Sequence, residues 1–409
     1  MKTVRRLFCG VAAPLFLLVT GCAGSSSVGS SGSGDPIKLG VIGQFTGVAA
    51  PVTGVTPKVL DAWKRTVNAA GGINGHPVDL LVKDVGDQTG ANMSAARSLI
   101  TQDKVSGLID LDAGDLVWVK YAAANNVPVV AASGFGYLLS PDVFPVFASP
   151  AADFYGYVAE AKRLGPKMAT AYAAEYAGVG EQTVAIIKSF TKPLGVDLAV
   201  ASKISAAAPD YTAFCQSLKD ASVDSYQLSF TAPIVKKISD QCRQQGVDAK
   251  LLLDSGALPP SRLADPSIDG SPVLNSIAPF TDTSIPGVAE YRKALKQYVP
   301  SVPGSQYDTS VPLVAWAAAK MFETGAKAAK GTGAKDVRQG LYSLKDETLG
   351  GLIGPLTYSP DRTTSPLCWF TSKVSGGKLV PGPNGAKPTC APAKLVAAQD
   401  AAMLKSLGG

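Results

Sequence analysis

The chain has 409 residues, 46% hydrophobic and 17% charged, and its 38 Lys and Arg against 32 Asp and Glu leave a formal net charge of +6. Half of that excess is Lys2, Arg5 and Arg6 at the N-terminus, so the remainder is too nearly balanced to suggest a nucleic-acid partner. The apolar content is enough for a large core, and a chain of this length is expected to divide into two domains.

Basic residues 2–6 lead into an apolar run at 8–19 that is too short to cross a bilayer, which is the layout of an export signal. Val19-Thr20-Gly21-Cys22 then sets an aliphatic residue and two small ones ahead of a cysteine, the pattern for lipid attachment to the Cys22 thiol and cleavage before it. Residues 1–21 are read as a signal peptide and 22–35, rich in Gly and Ser, as the start of the mature chain and a flexible tether. The expected location is the outer face of the cell membrane, held there by the lipid. Beyond Cys9 and Cys22, Cys215, Cys242, Cys368 and Cys390 remain, and an even number in an exported chain favours disulfides. Three pairings are possible, of which the local one, Cys215 with Cys242 and Cys368 with Cys390, is expected.

From Ile37 short apolar runs alternate with amphipathic stretches. Strands are expected at 37–42, 78–83, 105–111 and 127–132. Between the first two, Thr56 as a cap and Pro57 open a helix whose Leu60, Trp63 and Val67 share a face, and Gly71-Gly72 stops it. Further helices centre on 93–100 and 117–121. After a Pro-rich passage at 141–150 a second series offers strands at 168–174, 198–204, 225–230 and 251–253, with helices at 181–191, 210–220 and 234–245. Another Pro-rich passage at 272–286 precedes helices at 288–298, 311–329 and 335–344, then a Gly/Pro-rich tail. The fold class is α/β, with two doubly wound, Rossmann-like lobes in series.

In open α/β sheets ligands sit beyond the carboxyl ends of the strands. That rule directs attention to 44–47, 84–88, 111–115 and 133–137 in the first lobe, and to 175–180, 230–233 and 254–256 in the second. Asp115 is expected to cap the helix that follows it, which leaves Asp112 as the ligand candidate.

Ile37-Lys-Leu-Gly-Val-Ile-Gly-Gln-Phe-Thr-Gly47 and Ala70-Gly-Gly-Ile-Asn-Gly-His-Pro-Val-Asp-Leu-Leu-Val-Lys-Asp84 resemble the opening of the leucine/isoleucine/valine-binding proteins of ABC importers. Ala96-Arg-Ser-Leu-Ile-Thr-Gln-Asp-Lys-Val105, Asp210-Tyr-Thr212, Gln245-Gly-Val-Asp-Ala-Lys250 and Ile353-Gly-Pro-Leu-Thr-Tyr358 continue the resemblance in the family's order. It implies the type I periplasmic binding fold, with three hinge crossovers near 147–150, 277–280 and 354–358. Lobe I would comprise 36–148 plus 281–353, lobe II 149–277 plus 354–380, and the tail 381–409. Lobes so joined can close on a solute, and an importer's permease would distinguish the closed form.

The family holds an amino acid's carboxylate with hydroxyls and amides of the third and fourth lobe I loops. Here the third, with Asp112, Ala113 and Gly114, has no hydroxyl, while the fourth keeps Ser133 ahead of Gly134 and Phe135. The acidic partner of the ammonium maps to Ser255, with Asp254 one residue earlier. The family's aromatic positions map near Tyr176 and at 231–232, beside Phe230 and Thr231. Gln44 and Phe45 complete the candidate set. A desolvated ammonium without its carboxylate costs several kcal/mol by the usual estimates, so these departures argue against an ordinary α-amino acid. The rings of Phe45, Phe135, Tyr137 and Tyr176 suit an aromatic or apolar carboxylate or amide.

His76 is the single histidine and lies in a turn, and no Gly-rich loop leads into a Gly-Lys-Ser/Thr sequence. Zinc sites, His-based triads and phosphate-loop catalysis lack their parts, so no cofactor, metal or enzymatic activity is expected. The expected partners are a small solute, an ABC permease and, through the lipid, the membrane, with the protein a monomer. Two alternatives are a lipid-anchored sensor for a membrane receptor and a hydrolase using Asp112 and Asp254 as an acid/base pair.

Overall fold

The computed structural model describes residues 34–406 except Thr89, without the side chains of Tyr176, Ala177 and Val179. The signal peptide, Cys22 and nearly all of the tether therefore lie outside the described residues.

The first sheet consists of β1 (Ile37–Gly43), β2 (Val78–Asp84), β3 (Gly107–Leu111), β4 (Val129–Ala131) and β5 (Val143–Pro145). Their order is β2-β1-β3-β4-β5 and every pairing is parallel. β3 is buried along its whole length, as suits a strand covered on both faces. The connecting helices are α1 (Ala50–Thr53), α2 (Thr56–Ala69), α3 (Ala91–Arg97) and α4 (Val119–Ala124). In α2 Val59, Leu60, Trp63 and Val67 are buried, and Gly71 and Gly72, at φ of 97° and 81°, turn the chain back. Thr56 is already helical, so Val55 rather than Thr56 holds the cap position.

The Pro-rich passage 141–150 conceals two elements. One is β5, an edge strand, where a proline does no harm to the ladder. The other is α5 (Pro150–Leu164), which no strand-and-helix count anticipated. Ser149 accepts a hydrogen bond from the Ala152 amide, Pro150 sits in the first turn, and Asp153 meets the positive end of the helix. Here proline starts a helix.

The second sheet follows through β6 (Lys167–Ala173), α6 (Ala177–Leu194), β7 (Asp197–Ile204), α7 (Thr212–Asp220), β8 (Ser225–Ser229), α8 (Ala232–Gln244), β9 (Lys250–Asp254) and β10 (Pro272–Asn275). Its parallel strands run β7-β6-β8-β9-β10, repeating the order of the first sheet. Cys215 of α7 is bonded to Cys242 of α8.

The chain then returns to the first sheet with α9 (Pro286–Tyr298), α10 (Ser310–Ala328) and α11 (Ala334–Ser343). α10 is apolar nearly all round because it is enclosed by α2, α11, β3 and β4. The Glu323 carboxylate buried there accepts from the Trp63 indole at 3.0 Å and pairs with Lys320 and Lys327. Finally β11 (Cys368–Ser375), β12 (Lys378–Pro381) and β13 (Thr389–Cys390) extend the second sheet antiparallel, with Cys368 bonded to Cys390.

Residues 381–409 are not merely a tail. α12 (Ala393–Ser406) sets Val396 into a core cluster of the second lobe and Met403 into one of the first. The Gly-rich segment before it is the β11–β12 turn, with Gly376 and Gly377 at φ of 55° and 77°.

Three segments join the lobes side by side. Ala148 N–H donates to Ser276 O at 2.9 Å, Ala278 N–H to Leu352 O at 2.8 Å, and Ser149 N–H to Pro366 O at 2.9 Å. Residues 354–358 are held to the first lobe. Leu356 bridges Glu347, and Tyr358 packs edge-on against Phe144 and donates to Pro145 O at 2.8 Å. The third passage therefore runs through 359–367, later than the resemblance implies.

Candidate functional site: an acidic cleft between the lobes

Both sheets reverse strand order beside their first strand, so the loops after β1 and β3 face those after β6 and β8 at two switch points. The candidate loops contain Asp84, Asp87, Asp112, Asp115, Glu175 and Asp254 and no Lys or Arg.

Phe45 is 6% exposed and packs in the core over Gly43 and Leu111, so it does not line the cleft. Gln44 is half-buried and donates to Gly86 O. Asp112 is fully buried, and its carboxylate is committed internally. It accepts from Asn92, from the Trp118 indole at 3.0 Å and from Gly114 N–H at 2.9 Å, tying α3 and the 114–118 segment to the end of β3. This corrects its expected role as a ligand contact, and an Asp112/Asp254 catalytic pair has no basis. Ala113 is exposed and Gly114 half-buried.

Asp115 does not cap the following helix. It reaches the fourth loop, where its two carboxylate oxygens accept the Phe135 N–H at 3.1 Å and the Gly136 N–H at 2.5 Å. Gly134, at φ of 77°, brings the loop so close that a Cβ there would meet the Asp115 carboxylate at 2.3 Å. The backbone amides that would receive a ligand's carboxylate thus hold one of the protein's own. Burial pushes Asp115 up to about 6, against the opposing pull of those amides. Asp110, buried beneath it, is pushed well above the ordinary range by burial and by the charges of Asp115 and Asp112. Its Oδ1 accepts the Asp112 N–H while Oδ2 meets no donor, which suits a protonated carboxyl.

On the second lobe, Asp153 enters from the first turn of α5, and burial, then the charge of Asp254, push its carboxyl well up. Its Oδ1 has no hydrogen-bond partner among the described residues. Asp254 is exposed to solvent yet surrounded by protein, as a cleft-lining side chain should be, and that enclosure raises its pKa while the Gly256 and Ala257 amides oppose it. Ser255 faces the other way, as alternation at a strand end dictates, and is 1% exposed. Its hydroxyl donates to Ser310 Oγ at 2.9 Å, a contact from the second lobe to the first turn of α10 in the first. Tyr157 is buried near both acids, and burial and then those charges raise its pKa.

Among the aromatic candidates, Phe135 and Phe230 are half-buried against the cores of their lobes, and Thr231 is exposed at the start of α8. Ser133 and Gly134 are half-buried in the loop that Asp115 holds. Tyr137 is fully buried, edge-on to Phe147 of the first crossing at 6.4 Å. The Tyr176 side chain lies outside the described residues. The structure therefore gathers the Ser133–Phe135 segment, Asp153 and Asp254, with Asp115 fully buried behind that segment, and withdraws Phe45, Asp112 and Ser255. Asp110, Asp153 and Tyr157 were not singled out in the sequence; the Ser-Pro start of α5, three residues before Asp153, is the signal that points to Asp153. Among the described residues no cluster of His, Cys and acidic side chains is arranged to hold a metal ion.

Two open sheets whose parallel strands run in matching order, three crossings and the candidate loops at the strands' carboxyl ends define a two-lobed binding protein of the type I periplasmic class. The family model described as "Periplasmic binding protein" matches residues 36–378, and the chain belongs to that family. Among solved structures, a putative branched-chain amino acid ABC transporter from Silicibacter pomeroyi superposes with a TM-score of 0.71 at 17% identity, covering 86% of this chain and 97% of that one. A solute binding protein of an ABC transporter from R. palustris, in complex with 4-hydroxybenzoate, gives 0.67 at 19% identity over 87% and 97%. The substrate binding protein LivJ from Streptococcus pneumoniae, in complex with isoleucine, gives 0.64 at 19% identity over 84% and 97%. No curated protein matches the chain. No described helix is long and apolar enough to cross a membrane.

Proposed function

We propose that the chain is the solute-capturing component of an ABC importer, tethered outside the cell by a lipid on Cys22, acting as a monomer and carrying out no reaction. The family and the ligands of its structural neighbours support capture of a small solute. The observation that carries the choice of solute is Asp115 in the amides of the fourth loop. An anionic group arriving there meets a fixed carboxylate, further acids across the cleft and no basic side chain in the candidate loops, an arrangement that costs it several kcal/mol by the usual estimates. The sequence pattern suits a carboxylate or an amide; this geometry favours an amide or an amine on an aromatic or apolar body. The contacts proposed for it are Gln44, Ala113, Gly114, Ser133, Gly134, Phe135, Tyr176, Phe230, Thr231 and Asp254, with Asp153 added and Phe45, Asp112 and Ser255 removed.

Thermal unfolding with benzamide, benzylamine, benzoate and leucine tests the reading, since a ligand of the folded state raises Tm by mass action. Benzamide or benzylamine should raise Tm. A larger shift with benzoate or leucine refutes the choice, and steady consumption of any of them refutes the absence of catalysis. A Cys22→Ser chain should lose lipid labelling and leave the membrane fraction; unchanged retention refutes the anchor.

A further inference from the structure

A second pocket opens beside the third crossing, next to the 133–137 loop but sharing no residue with the candidate loops. Its volume is 670 Å3, within the range of small-molecule sites. The first lobe contributes Leu138, the third crossing Ser365 and Leu367, and α12 Val396, Asp400 and Leu404. The apolar side chains form most of this wall, and Asp400 interrupts it.

Asp400 is 7% exposed, and its two carboxylate oxygens have almost no accessible surface and no hydrogen-bond partner among the described residues, so an occupant of the pocket reaches them by displacing a neighbouring side chain. Burial raises its pKa and the nearby Ser365 hydroxyl tempers this without completing a hydrogen bond of good geometry. The Tyr137 hydroxyl, on the inner side, is likewise buried without a partner, and the two groups sense each other. Arg362 is the other charged side chain lining the pocket, but it is exposed, where water screens its charge far more than that of Asp400. An unpaired buried carboxylate is costly to a fold and is kept where something completes it.

We propose that this pocket is a second binding site, for a small organic amine whose ammonium pairs with Asp400 and whose apolar body lies along α12 and the third crossing. The ammonium supplies the donors that the carboxylate lacks, and the apolar walls exclude the water that would otherwise weaken the pair. Metal cations fit poorly, because only one acidic side chain lines the pocket.

The test is calorimetric titration of the mature chain with phenethylamine, with 2-phenylethanol as its uncharged analogue. Asp400→Asn keeps the shape and removes the charge. Ala397→Trp fills the pocket from an exposed position of α12, so it serves if the first variant folds poorly. Asp254→Asn marks the cleft. In the Asp254→Asn chain, whose cleft has lost its acidic contact, the proposal expects phenethylamine to bind at least tenfold more tightly than 2-phenylethanol, and at least a tenfold loss when Asp400→Asn or Ala397→Trp is added. Phenethylamine binding that disappears in Asp254→Asn, or that persists there undiminished when either pocket substitution is added, overturns the second site while leaving the cleft reading intact. No binding at millimolar phenethylamine also overturns it, as does equal binding of the alcohol.

Discussion

Replacing Asp115 with Ala should turn the cleft from one that rejects a carboxylate into one that accepts it. In the native chain the side chain holds two backbone donors, the amides of Phe135 and Gly136, at 3.1 and 2.5 Å. Truncation leaves both amides directed at the place the carboxylate occupied, and a benzoate anion can take over both bonds. Hydrogen bonds to a charged group contribute roughly 1.5–3 kcal/mol each, and ordering the ligand and the loop returns part of the sum. A net gain of about 2–3 kcal/mol corresponds to an affinity increase of roughly 30- to 150-fold. Calorimetric titration of benzoate into the two proteins at pH 7 measures it directly, with benzamide as the uncharged control. Native protein that binds benzoate as tightly as the variant refutes the view that Asp115 occupies the anion's place. An Asp115→Ala chain that stays folded by circular dichroism and still binds no benzoate refutes the claim that the fourth loop keeps its amides in a receptive arrangement.

The same residue shapes the response to pH. Asp115 rises from the ordinary 3.8 to about 6 in the folded state, so the folded chain holds its proton more firmly than the unfolded one. Its contribution to stability is complete below about pH 4 and is lost as pH rises through 6, a change on the order of 3 kcal/mol. Asp110, Asp153 and Asp400 are shifted in the same direction, so Tm should fall between pH 4.5 and 7, and Asp115→Asn should flatten that fall. A Tm that climbs over this interval contradicts the burial of these acids. Cys215 and Cys242 are separated by 27 residues in sequence, and a closed loop of that size stabilises by about 3.5 kcal/mol, so their double Ala variant should unfold at lower denaturant with the second bond intact. Mass mapping of the unreduced chain should recover Cys368 joined to Cys390, and any other pairing refutes the β11–β13 arrangement.

The strands were legible because a parallel sheet covered on both faces favours apolar runs, and β1, β4 and β9 display them at 39–43, 129–131 and 251–253. α5 was hidden by reading Pro150 as a break, when a proline behind Ser149 and ahead of Asp153 marks a beginning. α12 was hidden by the Gly and Pro of the hairpin before it, and its place depends on two cores that no local pattern reveals. The cleft was less legible than the fold for a related reason. The sequence suggests a ligand contact for Asp112 and a helix cap for Asp115, yet both are fully buried, one reaching Asn92 and Trp118 and the other the loop at 135–136. Those partners lie as far as 21 residues away, which spacing alone does not encode. Asp254 and Ser255 show the opposite case, where strand alternation is enough to separate them once the end of β9 is known.

The C-terminal helix adds a condition to any motion of the lobes. With Val396 seated in one core and Met403 in the other, α12 works as a strap fastened on both sides of the joint. Rotation of the lobes about the three crossings stretches that strap unless one end lets go, and the Met403 end, a single turn from the close of the helix, has less to release than the end anchored beside the Cys368–Cys390 bond. The last turn of α12 is therefore the natural place to fasten a fluorophore. Its environment would change as the cleft opens.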